Sequence, residues 1–473
     1  HCVDCGGFHT RPWPRQHLLV VVAHAGVAVA DPAVHGGEGN IFVADRQHAV
    51  NVAAIIGGYK GISHGSESLV FRLFGGLGGI CVAHASALRA QGTKILGGKP
   101  HWMLPEFRLE KFFARWEFQA RYHLTASDAE SVPVRDLLDD PDELLSLRLG
   151  YIPSEGGLEF RQAVAATYKQ LEADQILAFC GAQEGLYCAM HALLSREDHA
   201  IVTLPNYQAM EELPLALCGQ VSGLPLLAEQ QWDLDLDQLK RLLRPNTRLL
   251  AVNFPNNPTG KVLSQAGWTR LLEILRERGI WLFSDEVYRG LERDPAHTLP
   301  QAADLYEKAL SLNVMSKAYG LPGIRIGWIA SQNREILEKM LKIKHYLSIC
   351  NSAPAEFLAT RALSKGPGLL ERNRQLSTEN LGLWRSFFSR HPDLFDWWEP
   401  EGSCVAFPRY LGSEGVESWC QRLLHEAGVL FLPSSIYASR LGAVPTDRFR
   451  LGYGRRGLAE GLEVLEKFTS VRS

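Results

Sequence analysis

The spacing of apolar residues changes character along this chain. From about residue 158 onward, stretches with helical spacing alternate with short apolar runs. Residues 158–171 repeat apolar positions every three to four residues and predict an amphipathic helix. Residues 175–180 form a short apolar run closed by Gly181, the pattern of a buried strand entering a tight turn. Residues 184–194 are helical again, and 200–204 read as a strand stopped at Pro205. Further strands are predicted over 247–254, 279–284 and 309–314, with a helix over 267–278. Strands alternating with helices imply a mostly parallel sheet with helices on both faces, an α/β fold. Ligands of such sheets bind beyond the carboxyl ends of the strands. The polar motifs of this chain fall just after predicted strands. No internal repeat is evident.

Residues 1–100 break this pattern. They hold eight of the 16 histidines and 17 of the 43 glycines, but five of the 52 acidic residues. Glycine pairs such as Gly57-Gly58 and Gly75-Gly76 interrupt every candidate element. The first methionine is Met103. We therefore expect 1–102 to be foreign to the fold of the remaining chain and not native coding sequence, with the true start at Met103. Two alternatives stand beside this. One is a genuine extra domain or tail. The other is a secretory signal, in which Arg11 and Arg15 precede the apolar stretch 18–30 and Ala28-Val29-Ala30 mimics a cleavage site, although His24 and Gly26 interrupt its core. Cys2-Val3-Asp4-Cys5 with His9 falls short of the four ligands of a structural zinc site. Gly76-Leu77-Gly78 lacks the third glycine, the helix and the later acid of a dinucleotide fingerprint.

Composition narrows the class. A chain of 473 residues is too long for one simple core, so two or more domains are expected. Hydrophobic residues at 46% and charged residues at 21% are the balance of a globular protein. A formal charge of -3 argues against a nucleic-acid surface. No apolar run reaches the roughly 18 to 20 residues that span a bilayer, so no membrane segment is expected. The nine cysteines are scattered and odd in number, which points to a reduced, cytoplasmic enzyme and not a disulfide scaffold.

Three motifs carry candidate chemistry. In Ser284-Asp285-Glu286-Val287-Tyr288, Asp285 ends an apolar run, and a buried aspartate is costly without a cationic partner. A protonated ring nitrogen would be such a partner, and Tyr288 could reach a neighbouring ring hydroxyl; a plain helix-capping aspartate is the simpler alternative. Ser316-Lys317 follows the strand at 309–314, where desolvation can leave a lysine neutral and nucleophilic. Eight residues on, Arg325 lies within Gly320-Leu321-Pro322-Gly323-Ile324-Arg325-Ile326-Gly327-Trp328, where glycines permit close approach and an arginine can grip a phosphate with two hydrogen bonds. A surface lysine and a structural arginine are the alternatives. Asn253-Phe254-Pro255-Asn256-Asn257-Pro258-Thr259-Gly260 makes a rigid turn that either presents an asparagine or merely links strand to helix.

Each motif alone is weak; in this order they are specific. Over about 103–473 the chain resembles the class I/II aminotransferases, fold type I of the pyridoxal-phosphate enzymes. Tyr122–Ser131, Leu149–Gly157 and the run Gly402–Arg409 look closest to the branch that contains capreomycidine synthase. The resemblance implies pyridoxal 5'-phosphate as cofactor, Lys317 as its Schiff-base lysine, Asp285 as the partner of the pyridine nitrogen, and Tyr288 and Asn257 as partners of the ring hydroxyl. It implies that Gly181, Ala182 and Gln183 form the phosphate loop, where free amides at a helix start favour an anion. Tyr207, in Pro205-Asn206-Tyr207, matches the aromatic that stacks on the ring. Arg325 matches the phosphate arginine, Tyr151 a tyrosine that reaches the phosphate of the partner subunit, and Arg450 the arginine for the substrate carboxylate. One position departs. Many relatives carry a phosphate-binding serine three residues before the lysine, where this chain has Val314; Ser316 is the candidate substitute.

The resemblance further implies a homodimer with a mostly parallel seven-stranded sheet in a large domain, about 158–350, and a smaller α+β domain. The small domain would combine 103–157, which also forms a dimer arm, with 351–473. The expected reaction moves an amino group between an L-amino acid and a 2-oxo acid, with Lys317 shuttling a proton at the substrate alpha carbon. Elimination, replacement or cyclisation on the same scaffold is the nearest alternative, because fold does not fix reaction. A non-catalytic regulator is the alternative from another class, but 1–100 show no helix-turn-helix pattern and no basic stripe.

Overall fold

The structure, a computed structural model, describes residues 104–470 and the backbone of five short strands before them. The chain divides into two compact units, His1–Gly97 and Gly98–Ser473. In the first, Leu19–Ala23, Gly26–Ala30 and Phe42–Ala44 pair antiparallel, as do Ser68–Val70 and Val82–His84. The expectations attached to Cys2, Cys5, the Gly76-Leu77-Gly78 run and a start at Met103 lie outside the described residues.

The second unit is built on a seven-stranded sheet. Its strands are β1 Ile176–Phe179, β2 His199–Leu204, β3 Gln220–Pro225, β4 Thr247–Asn253, β5 Trp281–Asp285, β6 Ala309–Val314 and β7 Gly327–Ala330. They lie in the order β1-β7-β6-β5-β4-β2-β3. All run parallel except β7, which is antiparallel to both neighbours. Every residue of β1, β2, β5, β6 and β7 is buried. That is why these strands read as unbroken apolar runs and not as alternating ones.

The helices of this unit include α1 Arg108–Trp116, α2 Leu158–Ala165, α3 Ala182–Leu193, α4 Gln208–Leu217 and α5 Gln265–Arg278. The ends of α5 are set by its sequence. Ser264 caps the start by accepting the Gly267 N–H at 3.0 Å, and Gly279 ends it in the left-handed region at φ 64°. Trp268, Leu271, Leu272, Ile274 and Leu275 form its buried face.

Two strands and one helix end escape the apolar pattern. β3 is the edge strand; it starts on exposed Gln220, contains Gly223 and ends in Pro225, all weak strand signals that an edge tolerates. β7 is only four residues long and begins inside the glycine-rich run around Arg325. The helix predicted over 158–171 stops at Ala165. There the Asp304 carboxylate takes the Lys169 and Gln170 N–H groups at 2.9 and 3.0 Å and draws the chain out of the helix.

Beyond the sheet, Val405–Ala406 and Leu432–Pro433 pair antiparallel with Phe449–Gly452. Tyr122–His123 pairs parallel with Val429–Leu430, so chain that precedes the sheet joins the C-terminal layer. Among the described residues no helix is long and apolar enough to cross a membrane.

Candidate active site

The carboxyl edge of the sheet collects most of the motif residues. Asp285 is the last residue of β5, Lys317 follows β6, Asn257 follows β4, Tyr207 follows β2, and the turn after β1 opens α3. Parallel strands bring these positions, far apart in sequence, to one side of the fold.

Lys317 is half-buried as a residue, but its amine lies inside the cluster and donates to Ser127 Oγ at 2.8 Å. Desolvation holds its pKa below the ordinary lysine value; the nearby Asp128 charge opposes this and Arg450 adds to it. Asp285 is buried, and burial pushes its carboxyl up to about 7, against a hydrogen bond from the Val287 N–H at 3.2 Å and the charge of Lys317. Tyr288 is buried and donates to the Ser127 carbonyl at 3.0 Å, with burial raising its pKa well above the usual tyrosine value.

Arg450 lies in the strand Phe449–Gly452 and is wholly buried. Its Nη2 donates to the Thr125 carbonyl at 2.9 Å, and its Nη1 to Tyr437 Oη at 3.0 Å and Asn257 Oδ1 at 3.3 Å. Tyr437 also donates to Asn257 Oδ1 at 3.1 Å. Among the described residues no carboxylate pairs with Arg450. The other arginines nearby are committed. Arg409 pairs with Asp447 at 2.5 Å, Arg455 grips Asp128 at 3.0 and 2.7 Å, and Arg448 lies over the Trp232 ring at 4.9 Å.

A second cluster sits at the start of α3. Gly181 precedes Ala182 and Gln183 at φ 85° and provides no side-chain cap, so the first amides of the helix are left for another acceptor. A Cβ on Gly181 would lie 2.6 Å from Arg325 Nη2, which puts the guanidinium directly against this turn. Arg325 Nη1 donates to Ser316 Oγ at 3.3 Å. Val314 packs into the apolar core from β6, whereas Ser316 faces the arginine. Tyr207 stands just before α4, its ring 5.2 Å from that of Phe107, and donates to Glu110 Oε1 at 3.4 Å. Tyr151 is not part of either cluster; it is 94% exposed on the protomer surface.

Several residues of this arrangement had no place in the sequence reading. Thr125, Ser127 and Tyr437 touch four of the predicted residues, Arg450, Lys317, Tyr288 and Asn257, and Phe113 on α1 lies 5.8 Å from the Arg450 guanidinium. Spacing could not have found them, because Thr125 and Arg450 are 325 positions apart. The one available signal was the likeness of 122–131 to relatives, which assigned no role.

Residues 137–463 match the family of aminotransferases class I and II. The chain belongs to that family. It is 29% identical over 383 residues to capreomycidine synthase of Streptomyces vinaceus, covering 79% of this chain and 96% of that protein. A solved pyridoxal-phosphate-dependent aminotransferase from Streptococcus suis superposes with a TM-score of 0.73 at 30% identity, over 78% of this chain and 99% of that one. The pyridoxal-phosphate-dependent cyclase OrfR gives 0.72 at 26% identity, over 80% and 100%. This aminotransferase-family chain is thus an α/β enzyme of fold type I with pyridoxal 5'-phosphate as its cofactor. The site fits that group. A buried carboxylate with no ion pair among the described residues, a buried amine of lowered pKa, and uncapped helix amides beside an arginine match a pyridinium, an aldehyde and a phosphate in turn.

Proposed function

We propose that the enzyme transfers amino groups with Lys317, Asp285 and Arg450 as its principal groups, and the observation that carries this is the wholly buried, carboxylate-free guanidinium of Arg450. A buried cation without a counter-charge is expensive, so the site suits a ligand that brings a carboxylate. Arg450 lies in one hydrogen-bonded cluster with Asn257, and Thr125, which it holds, is two residues from the Ser127 that meets Lys317. The alpha carbon of an amino acid gripped there is therefore presented to the lysine side.

When bound, pyridoxal phosphate supplies an electron sink for the electrons left at the substrate alpha carbon. Asp285 would keep a proton on the ring nitrogen through its buried carboxylate. The Nδ2 amide of Asn257 would donate to the ring oxygen, and Tyr288 could join it only by turning its one hydroxyl proton away from the Ser127 carbonyl. Arg325, Ser316 and the amides of Ala182 and Gln183 would hold the phosphate, and Tyr207 would cover a ring face. Lys317 would hold the cofactor through its amine, and the same amine would take and return a proton at the substrate alpha carbon.

The same proposal includes a homodimer, with Tyr151 reaching the partner's phosphate. Tyr151, 94% exposed, is free on the protomer surface to reach a partner, which supports it. It includes a large domain at 158–350 and a small domain joining 103–157 to 351–473, supported by the pairing of Tyr122–His123 with Val429–Leu430. Residues 1–102 are proposed as a segment outside the family fold. A cytoplasmic location is proposed from cysteine usage, since the six cysteines among the described residues are all free.

Cyclisation or elimination is the second reading, favoured by the likeness to capreomycidine synthase and OrfR. One experiment separates the two. The enzyme is incubated with single L-amino acids and a 2-oxo acid, and products are followed by mass spectrometry. A new amino acid formed from the oxo acid supports transfer. An amino acid consumed with none formed from the oxo acid supports the second reading.

A further inference from the structure

A single short segment touches the groups assigned to substrate, ring and proton transfer. The Thr125 carbonyl accepts Arg450 Nη2 at 2.9 Å, the Ser127 carbonyl accepts the Tyr288 hydroxyl at 3.0 Å, and Ser127 Oγ accepts Lys317 Nζ at 2.8 Å. The segment is pinned along its length. The Gly452 N–H donates to the Leu124 carbonyl at 2.7 Å, and a Cβ on Gly452 would lie 2.2 Å from the Ala126 oxygen. The Ala129 N–H donates to the Lys317 carbonyl at 3.2 Å, and Arg455 clamps Asp128 with two hydrogen bonds of 3.0 and 2.7 Å. The position of the Ser127 hydroxyl is therefore set by a fixed backbone.

We propose that Ser127 is a positioning residue whose hydroxyl holds the Lys317 amine, whenever that amine is not bonded to the cofactor, at the point from which it re-forms the bond and reaches the substrate alpha carbon. The inference rests on the reading of Lys317 as the cofactor lysine.

The chemistry of the partner is the argument. The charged and titratable groups facing the amine are Asp128, Asp285, Glu110, Cys404 and Arg450. A carboxylate in direct contact would favour the ammonium form, which is neither nucleophilic nor a proton acceptor. Asp128, the carboxylate with the largest effect on Lys317, is taken by Arg455. The direct partner is instead a hydroxyl, which is neutral and can both accept and donate. It orients the amine without fixing its charge. A lysine stem without such a contact samples many rotamers, and the aimed one becomes a minority.

The test uses the full chain with Ser127→Ala and Ser127→Thr. Each protein is stripped of cofactor and remixed with pyridoxal phosphate, and formation of the lysine bond is followed by visible absorbance. Exchange of the substrate alpha hydrogen with deuterium oxide reports proton transfer. Affinity for pyridoxine 5'-phosphate, which has no aldehyde, reports the rest of the site. Ser127→Ala is expected to slow bond formation and exchange about tenfold, the worth of one neutral hydrogen bond. Its pyridoxine phosphate affinity and melting temperature stay at wild-type values, and Ser127→Thr recovers the rates to within about threefold, because it keeps the hydroxyl. Wild-type rates in Ser127→Ala overturn the proposal, as does a pyridoxine phosphate affinity that falls in step with the rates, which marks a merely structural role. A wild-type enzyme that forms no lysine bond, and so matches Lys317→Ala, removes the reading of Lys317 itself.

Discussion

Replacing Asp285 by asparagine should stabilise the cofactor-free enzyme while abolishing most of its turnover. Burial raises the Asp285 carboxyl from 3.8 to about 7, so the folded chain binds this proton more tightly than the unfolded chain does. The native state holds more protons between those two values, and stability therefore falls as pH rises from about 4 through about 7. Three pH units correspond to a penalty on the order of 4 kcal/mol, fully present at pH 8 and mostly relieved near pH 5. The asparagine side chain is not charged, yet it keeps an oxygen for the Val287 N–H, which Asp285 now accepts at 3.2 Å. Cofactor-stripped Asp285→Asn should thus be more stable than stripped wild type at pH 8, by about 2–4 kcal/mol, with the advantage shrinking by half or more at pH 5. With cofactor bound the order should reverse, because only the carboxylate pairs with a protonated ring nitrogen, and turnover should fall by several orders of magnitude. Denaturant melts at the two pH values, with and without cofactor, measure the stabilities, and steady-state kinetics measure the turnover. A stripped variant no more stable than wild type at pH 8, or one turning over near the wild-type rate, refutes the reasoning.

Lys317→Ala should lose the visible absorbance of lysine-bound cofactor and all turnover; borohydride labelling that maps to another lysine would show the assignment to be wrong. Arg450→Lys should raise KM for amino acids by about tenfold to a hundredfold, the loss of one charge-assisted hydrogen bond of about 1.5–3 kcal/mol. Steady-state kinetics with amines that lack a carboxylate should show little change, and equal effects on both substrate types would remove Arg450 from carboxylate binding. A chain beginning at Met103 should keep cofactor binding and activity, since every residue assigned to the site lies beyond it; loss of cofactor from that shorter chain, with the full chain retaining it, would make the N-terminal segment part of the enzyme.

The sheet was legible in the sequence where burial was complete. β1, β2, β4, β5 and β6 are apolar over most of their length and were found within a residue or two of their ends. What failed was context. β3 needs a neighbour to make a strand of Gln220–Pro225, because its own residues include a glycine and a proline. The end of α2 is decided by Asp304, which binds backbone amides 134 and 135 positions away. Patterns of local spacing contain no information about such partners. The site divides in the same way. Lys317, Asp285, Asn257 and Arg325 each sit on a turn whose composition is unusual, so the chain advertises them. Ser127 and Thr125 act through backbone carbonyls and short hydroxyls on an ordinary-looking segment, and only folding shows what they meet.

The charges inside the site explain why its ligand is easier to infer than its reaction. Among the described residues neither the buried Asp285 nor the buried Arg450 has an ion-pair partner, so each is a cost that a complementary ligand removes. Those two deficits suit the proposed placement of a protonated ring at one end and a carboxylate at the other. They act before the alpha carbon changes and after, and so are common to transfer, elimination and cyclisation. The fate of the electrons is set by where a proton is returned and by what leaves the substrate side chain. On the proposed role of Lys317, the proton is governed by the freedom of its amine, which in this chain rests on Ser127 and is flanked by Asp128, Glu110 and Cys404. Differences in reaction among similar folds of this family should therefore be sought in the groups around that amine, not in those that hold the ring.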